Sequence, residues 1–208
     1  MKRLFVPRME FMDPTAEKLP RSRLAAFLLL AVLGCALDLG TKSWTFARMG
    51  YDPPDQRKVI KLWPGILELE THLNEGALFG IGQGRGNMFA LLSIVAAAGI
   101  LYWLFYLKAA HDWLLTIALG AITAGIFGNL YDRLGLHGLV WRRVGQLHEQ
   151  GEPIKAVRDW IHFQTPWFDW PIFNIADTLL VCGAGLLLWH AFRGETAPAA
   201  ASQTQPAK

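Results

Sequence analysis

Two aspartates in the last third of the chain lie in mainly apolar segments, where burying a charged carboxylate costs free energy. Asp177 closes the mainly apolar stretch Phe173-Asn174-Ile175-Ala176-Asp177, and Asp159 lies within Val157-Arg158-Asp159-Trp160-Ile161. A lone buried carboxyl group tends to keep its proton, whereas two close ones share a proton, so that one acts as a base and the other as an acid. Water activated by such a pair can attack an amide carbonyl, and the chemistry needs no metal or other cofactor.

The residues alone leave the partner of Asp177 open among three aspartates. Asp159 is slightly favoured, because it lies in an apolar segment 18 residues earlier, which lets the chain return past it. Asp169 stands among aromatic residues and is expected to be solvated. Asp132 is followed by Arg133, which predicts a structural charge pair near the surface.

Asp177 is expected about two turns inside a helix that begins at Pro171, a suitable first-turn residue. Asn174, one turn before Asp177 on the same face, is expected to steady its carboxylate by a hydrogen bond. A second charged pair, Asp38 and Lys42, is spaced i to i+4 and shares a helix face. Two interpretations of this pair remain open: an ion pair that neutralises itself, or a polar wall that anchors an outer loop or the substrate.

The elements that must position these side chains are membrane-spanning. A spanning helix needs about 20 mostly apolar residues. Four stretches meet this requirement, at residues 24–46, 88–107, 113–131 and 172–192, in a chain of 208 residues that is 52% apolar with a mean hydropathy of +0.24. The predicted fold is an all-α membrane protein with four transmembrane helices, a small extracytoplasmic β-sheet and an interfacial segment.

Basic residues ahead of the first span predict a cytoplasmic N-terminus. They are Lys2, Arg3, Arg8, Lys18, Arg21 and Arg23. With four spans the C-terminus is also cytoplasmic, and segments 49–87 and 132–171 lie outside. The formal charge of +3 and pI of about 9.0 come without a basic stripe, so nucleic acid is not an expected partner.

Three shorter residue patterns predict further features of the fold: a strand, close helix packing and a segment at the membrane interface. Residues 66–73 alternate apolar and polar, which predicts a strand in an outer β region at about 60–80. Small residues are expected to let the third helix pack closely: Gly120, Ala121, Ala124, Gly125 and Gly128. An aromatic cluster indicates a segment at the membrane interface: Phe163, Trp167, Phe168 and Trp170. Residues 1–193 are expected to form one domain and 194–208 a disordered tail.

These motifs, in this order, resemble the lipoprotein signal peptidases (signal peptidase II), the membrane aspartyl peptidases of bacteria. The resemblance rests on five groups of residues: Asp38 with Lys42, Asn74-Glu75-Gly76-Ala77 with Phe79-Gly80, Gly128-Asn129-Leu130-Tyr131-Asp132-Arg133, Val157-Arg158-Asp159-Trp160-Ile161 and Phe173-Asn174-Ile175-Ala176-Asp177. It implies that Asp159 and Asp177 are the catalytic pair.

The resemblance also implies supporting residues that line or brace the site: Asn74, Gly76, Asn129, Asp132, Arg133 and Asn174, with Asp38 and Lys42 near the outer surface. The implied substrate is a prolipoprotein whose cysteine carries a diacylglyceryl group, cut just before that cysteine. The implied location is the bacterial inner membrane, with membrane lipid around a protein that we expect to be monomeric. The residues alone also permit a small transporter or channel using Asp38, Lys42 and Asp177, or a structural assembly subunit.

Two features depart from the family pattern. The separation between Arg133 and Asp159 exceeds the usual short link, so residues 136–156 are interpreted as an insertion, either a mobile lid or an additional contact. Arg158 replaces the usual small or apolar residue before the first catalytic aspartate. Its charge is expected to lower the pKa of Asp159.

Overall fold

A computed structural model describes residues 20–51, 58–76, 82–142 and 148–194, with the side chains of 193 and 194 excepted. Its helices are α1 (Arg21–Met49), α2 (Gly86–Leu101, continued by a π-helical turn, Tyr102–Tyr106), α3 (Trp113–Arg133) and α4 (Ile175–Gly194). Its strands are β1 (Val59–Trp63), β2 (Leu67–Asn74), β3 (Val157–Thr165) and β4 (Phe168–Asp169). Three parts of the predictions lie outside the described residues: the basic residues from Lys2 to Lys18, the Ala77 and Phe79-Gly80 part of the second motif, and the predicted tail beyond Gly194.

All four helices are long and apolar enough to cross a membrane. Their outward sides carry large apolar groups, such as Leu33, 63% exposed, and Val181, 70% exposed, which suits contact with lipid. The predicted start of the fourth helix was wrong. α4 begins at Ile175, because the backbone of Phe173 is occupied in hydrogen bonds with Trp160 and Ile161 of β3. Asp177 therefore lies in the first turn of α4 and not two turns inside it.

α3 is the central helix of the described part of the protein. In the most apolar 18-residue stretch of α3, 67% is buried inside the protein. The corresponding share is 11% to 17% in the other three helices. Glycines allow this packing, as the small-residue pattern predicted. A Cβ added at Gly125 would lie 2.5 Å from the carbonyl oxygen of Ala176, and one added at Gly128 would collide with the carboxylate of Asp38. α4 consequently approaches α3 at backbone distance near the C-terminal end of α3, and α1 places the Asp38 side chain against the same end.

The sheet is antiparallel, with strand order β1-β2-β3-β4. β2 confirms the strand predicted at residues 66–73, but β3 was missed. The segment expected to lie along the membrane interface pairs with β2, so that Asn74 faces Val157 and His72 faces Asp159. The β3–β4 turn exposes aromatic rings, Trp167 to 88%. Because β3 also pairs with Phe173, the sheet fixes the start of α4 beside Asp159.

The predicted insertion at residues 136–156 forms a hairpin-like arm in its described part. The backbone N–H of Trp141 donates to Glu152 across 2.9 Å, and that of Ile154 donates to Leu139 at the same distance. Ile154 and Ala156 are fully buried, so the base of the arm is packed against the rest of the protein. Residues 143–147 of the insertion lie outside the described residues. We call residues 139–142 and 148–154 the arm.

Candidate active site

Asp159 and Asp177 meet where β3 passes the first turn of α4. Asp159 is 1% exposed, whereas Asp177 is only half-buried. The two carboxylates interact electrostatically, and the same residue, Asn174, contacts both. Asp177 is therefore open to water, and Asp159 is enclosed. The residue pattern slightly favoured Asp159 as the partner of Asp177, and the structure brings these two residues together.

Asn174 joins the two carboxylates. Its side-chain N–H donates to Asp159 Oδ1 across 2.6 Å, and its backbone N–H donates to Asp177 Oδ2 across 3.2 Å. In return, Asn174 Oδ1 accepts the backbone N–H of Asp177 at 2.9 Å. These reciprocal bonds are those of a capping box, here formed by Asn and Asp at the start of α4. The hydrogen bond predicted between Asn174 and Asp177 is present, although it comes from a cap and not from a helix face.

Burial raises the pKa of Asp159 to about 8, and repulsion by the nearby Asp177 carboxylate adds to this effect. Hydrogen bonds donated by Asn174 and Asn74 oppose the rise without cancelling it. At neutral pH Asp159 therefore holds a proton. The pKa of Asp159 is thus raised overall, and the charge of Arg158, which was expected to lower it, does not set the direction of the shift.

The reason is strand alternation, because successive side chains of β3 point to opposite faces. The Arg158 side chain turns away from its neighbour and pairs with Asp132, with its Nε and one terminal nitrogen both 2.9 Å from Asp132 Oδ1. Its other terminal nitrogen donates to Ser43 Oγ across 3.3 Å. The expected pairing of Asp132 with Arg133 near the surface was also wrong, since Asp132 is fully buried against Arg158 and Lys42. Recognising β3 as a strand would have shown that Arg158 and Asp159 point to opposite faces of the sheet.

Lys42 organises a buried polar cluster beneath the two aspartates. Its ammonium group lies 2.7 Å from Asp38, 3.1 Å from Asp132 and 2.9 Å from Asn129 Oδ1, so its three donors are matched by three acceptors. Asn129 then donates to Asp177 Oδ1 across 2.8 Å. The ion pair between Asp38 and Lys42 that one interpretation expected is present. Both residues are fully buried and take part in contacts that join three helices, so they do not form a wall open to substrate.

Asp38 also secures α4, because its Oδ1 accepts the backbone N–H of Ala176 across 2.9 Å. This N–H belongs to the first turn of α4, where backbone donors have no partner within the helix. The sequence offers no signal for a backbone contact of this kind.

Asn74 and Arg133 complete the group from the sheet and from the end of α3. Asn74 donates to Asp159 Oδ2 across 3.1 Å, and its own Oδ1 accepts the backbone N–H of Gly76 at 3.0 Å. Arg133 donates a long hydrogen bond of 3.4 Å to the Gly76 carbonyl and interacts electrostatically with Asp159 and Asp177. All the predicted supporting residues thus gather around the two aspartates.

Asp169, the remaining competitor, lies away from this group at the edge of the sheet. Its side chain is 76% exposed and pairs with His162 Nε2 at 2.7 Å. Among the described residues no cluster of three His, Cys, Asp or Glu side chains could hold a metal ion. The polar atoms of the site are instead directed at one another and at the two carboxylates.

Four apolar helices with two linked aspartates at one end have the parts of a membrane aspartic peptidase. Comparison with known proteins agrees. Residues 30–193 match the family described as signal peptidase (SPase) II. The lipoprotein signal peptidase of Rhodopirellula baltica is 46% identical over 189 residues, which cover 89% of this chain and 81% of that protein. That of Pseudomonas aeruginosa is 30% identical over 84% of this chain and 92% of the other.

The chain therefore belongs to the signal peptidase II family, whose members are membrane aspartic peptidases. A solved bacterial membrane enzyme, determined by the in meso method at 2.3 Å resolution, shares the fold with a TM-score of 0.66. It is 23% identical and is matched over 89% of this chain and 96% of its own. The comparisons lend no support to a transporter or channel, and α2 carries no charged residue along its length.

Proposed function

We propose that this protein removes the signal peptide from prolipoproteins whose cysteine carries a diacylglyceryl group, by cutting the peptide bond before that cysteine. The observation that carries the proposal is the shared Asn174, which holds one enclosed and one water-accessible carboxyl group in a single site. The family relationship supplies the substrate class, since the similar proteins are lipoprotein signal peptidases.

In the proposed reaction the Asp177 carboxylate takes a proton from a water molecule, whose oxygen attacks the scissile carbonyl carbon. Asp159, protonated at neutral pH, donates its proton to the carbonyl oxygen as the carbon becomes tetrahedral. Asp177 now holds the proton that came from water. Asn129, itself bound by the Lys42 ammonium, and the backbone N–H of Asn174 keep the Asp177 carboxylate oriented during this step.

The intermediate collapses when the carbon–nitrogen bond breaks. Asp177 returns its proton to the departing amine, and the intermediate gives a proton back to Asp159, so that both carboxyl groups regain their starting states. The products are a signal peptide with a new carboxyl terminus and a lipoprotein with a free amino group on its cysteine. Every proton is accounted for by one water molecule and the pair.

The arrangement of the helices suits a substrate held in the membrane. The polar cluster lies near the C-terminal ends of α1 and α3 and the N-terminal end of α4, while the outward sides of the helices are apolar. We propose that this end faces the extracytoplasmic side and that both termini are cytoplasmic. The diacylglyceryl chains would then remain in lipid while the peptide bond reaches the aspartates. Nothing in this scheme requires a second copy of the chain.

The test is cleavage of a diacylglyceryl-modified prolipoprotein by purified protein in lipid. Asp159→Asn and Asp177→Asn are each expected to reduce kcat by about a hundredfold or more, because acid–base catalysis is removed. Asp169→Asn is the matched control, and its exposed side chain predicts unchanged activity. Full processing by either of the first two variants would refute the assignment, and equal cleavage of an unlipidated precursor would refute the proposed substrate.

A further inference from the structure

In the described part of the arm, His148 contacts Glu75, which follows the last residue of β2 beside the candidate active site. Its Nε2 lies 2.5 Å from Glu75 Oε1, and its Nδ1 lies 3.3 Å from Glu152 Oε2 on the arm itself. The imidazole also stacks on Trp141, with ring centroids 4.4 Å apart and an interplanar angle of 9°. The imidazole ring is thus held by stacking on Trp141, by Glu152 at Nδ1 and by Glu75 at Nε2.

Glu75 occupies a sensitive position at the end of β2. The residue before it, Asn74, donates to Asp159, and the residue after it, Gly76, accepts a hydrogen bond from Arg133. The Gly76 N–H bonds back to Asn74, so these residues form one tight turn. A displacement of Glu75 would move both the Asn74 amide, which donates to Asp159, and the Gly76 carbonyl, which accepts from Arg133.

A second attachment gives the arm a fixed position. Val140 accepts a hydrogen bond of 3.2 Å from the Tyr51 hydroxyl, just beyond the end of α1, and the Arg142 guanidinium lies 4.2 Å from the centroid of the Tyr51 ring. The arm is therefore tied to the end of α1 as well as to the end of β2. A side chain on such a support can hold the turn in place, whereas one on a free loop could not.

We propose that His148 is a positioning residue, which acts through Glu75 to hold the Asn74–Gly76 turn so that Asn74 stays on Asp159. The proposal rests on the proposed function. It gives the insertion a role: the arm is part of the support of the active site. His148 need not contact the substrate or exchange a proton with it.

A direct contact with substrate is the competing explanation. Glu75 and His148 also line an open cavity of about 300 Å³ between the arm and the start of α2. If the cavity held substrate, loss of His148 would mainly raise KM. If His148 positions the turn, its loss lowers kcat, because a carboxyl group misplaced by about 1 Å can cost up to a hundredfold in rate.

The experiment compares His148→Ala, His148→Gln, Glu75→Gln and the His148→Ala/Glu75→Gln double variant with the wild type in lipid. Glutamine at 148 keeps an N–H that can reach Glu75, and Glu149→Ala is the matched control on the exposed face of the arm. Two properties are measured: kcat and KM for the lipidated precursor, and amide hydrogen exchange of residues 73–76, which does not depend on activity.

We expect His148→Ala to lower kcat about tenfold with KM within about twofold, and to speed exchange of the Gly76 amide. His148→Gln should recover most of both effects, the double variant should be no worse than the poorer single variant, and Glu149→Ala should match the wild type. Unchanged kcat or unchanged exchange would overturn the proposal, as would a rise in KM alone.

If His148→Ala does not fold, the Glu75→Gln variant tests the proposal by the same two measurements, the kinetic constants and the amide exchange of residues 73–76. A wild-type protein that does not cleave the precursor at all would refute the proposed function. The exchange data would still report whether the arm orders the turn, so the two failures are distinguishable.

Discussion

The side-chain amide of Asn174 donates a 2.6 Å hydrogen bond to Oδ1 of Asp159, across an interface between α4 and β3. The same residue caps α4 and donates its backbone N–H to Asp177. One asparagine therefore sets the relative placement of the two carboxyl groups. The hydrogen bonds between Asn174 and Asp177 both cap the start of α4 and orient the Asp177 carboxylate. Asn174 therefore has a structural role and a role in the site at the same time.

Replacing Asn174 by alanine should lower kcat by about tenfold to a hundredfold, because a hydrogen bond to a charged or buried carboxyl group is worth about 1.5–3 kcal/mol. Initial rates with the lipidated precursor measure the change. Thr165→Ala, at the far end of β3, is the control and should retain wild-type rates. An Asn174→Ala enzyme of normal kcat would show that the bridge is dispensable.

Activity should fall as the pH rises through about 8, since Asp159 then loses the proton it donates in the proposed reaction. Stability should also fall between about pH 4 and pH 8. The folded state keeps the proton of Asp159 up to a pKa of about 8, whereas the unfolded chain releases it near 3.8, so the folded state binds more protons in this range.

Two pH series check this prediction. The first follows kcat/KM of the wild type, and the second follows thermal unfolding of the wild type and of Asp159→Asn. The stability of the Asp159→Asn variant should therefore fall less than that of the wild type between about pH 4 and pH 8. A wild-type rate that stays level from pH 7 to pH 10 would contradict the assignment of the proton to Asp159.

Lys42→Met should destabilise the protein by about 3–5 kcal/mol, because it leaves the fully buried Asp38 without its cation and Asp132 with only Arg158. Thermal unfolding in detergent measures the loss. Lys61→Met is the matched control: its ammonium group lies 3.6 Å from Glu68, but its side chain is 63% exposed, and a change below about 1 kcal/mol is expected. Equal unfolding temperatures for both variants would argue against the buried network.

Gly128→Ala should cost about 1–3 kcal/mol, since the new methyl group would collide with the Asp38 carboxylate and lie 3.2 Å from the Cβ of Ala176. Gly99→Ala in α2 serves as the control, because no described atom apart from the neighbouring backbone of the helix itself lies within 4 Å of the added Cβ. That change should be neutral or stabilising by up to about 1 kcal/mol. Unfolding midpoints of the two variants, measured side by side, distinguish steric conflict from a general effect of alanine. The prediction fails if they agree.

The sequence by itself determined the four helices, because apolar runs of this length have few alternatives to spanning a membrane. It determined β2 through period-two alternation, and it marked the polar residues that need partners at membrane depth. Residues such as Asp38, Lys42 and Asp177 were visible for this reason. The order of the motifs then indicated the family that the comparisons show.

Only the tertiary structure decided which partners those residues take. Arg158 turned to Asp132 and not toward Asp159, because β3 alternates its faces, and Asp132 took buried cations from α1 and β3 instead of its neighbour Arg133. α4 began later than predicted, since the backbone of Phe173 pairs with β3. Pairing between distant segments depends on register and on backbone hydrogen bonds, and local residue patterns do not encode either one directly.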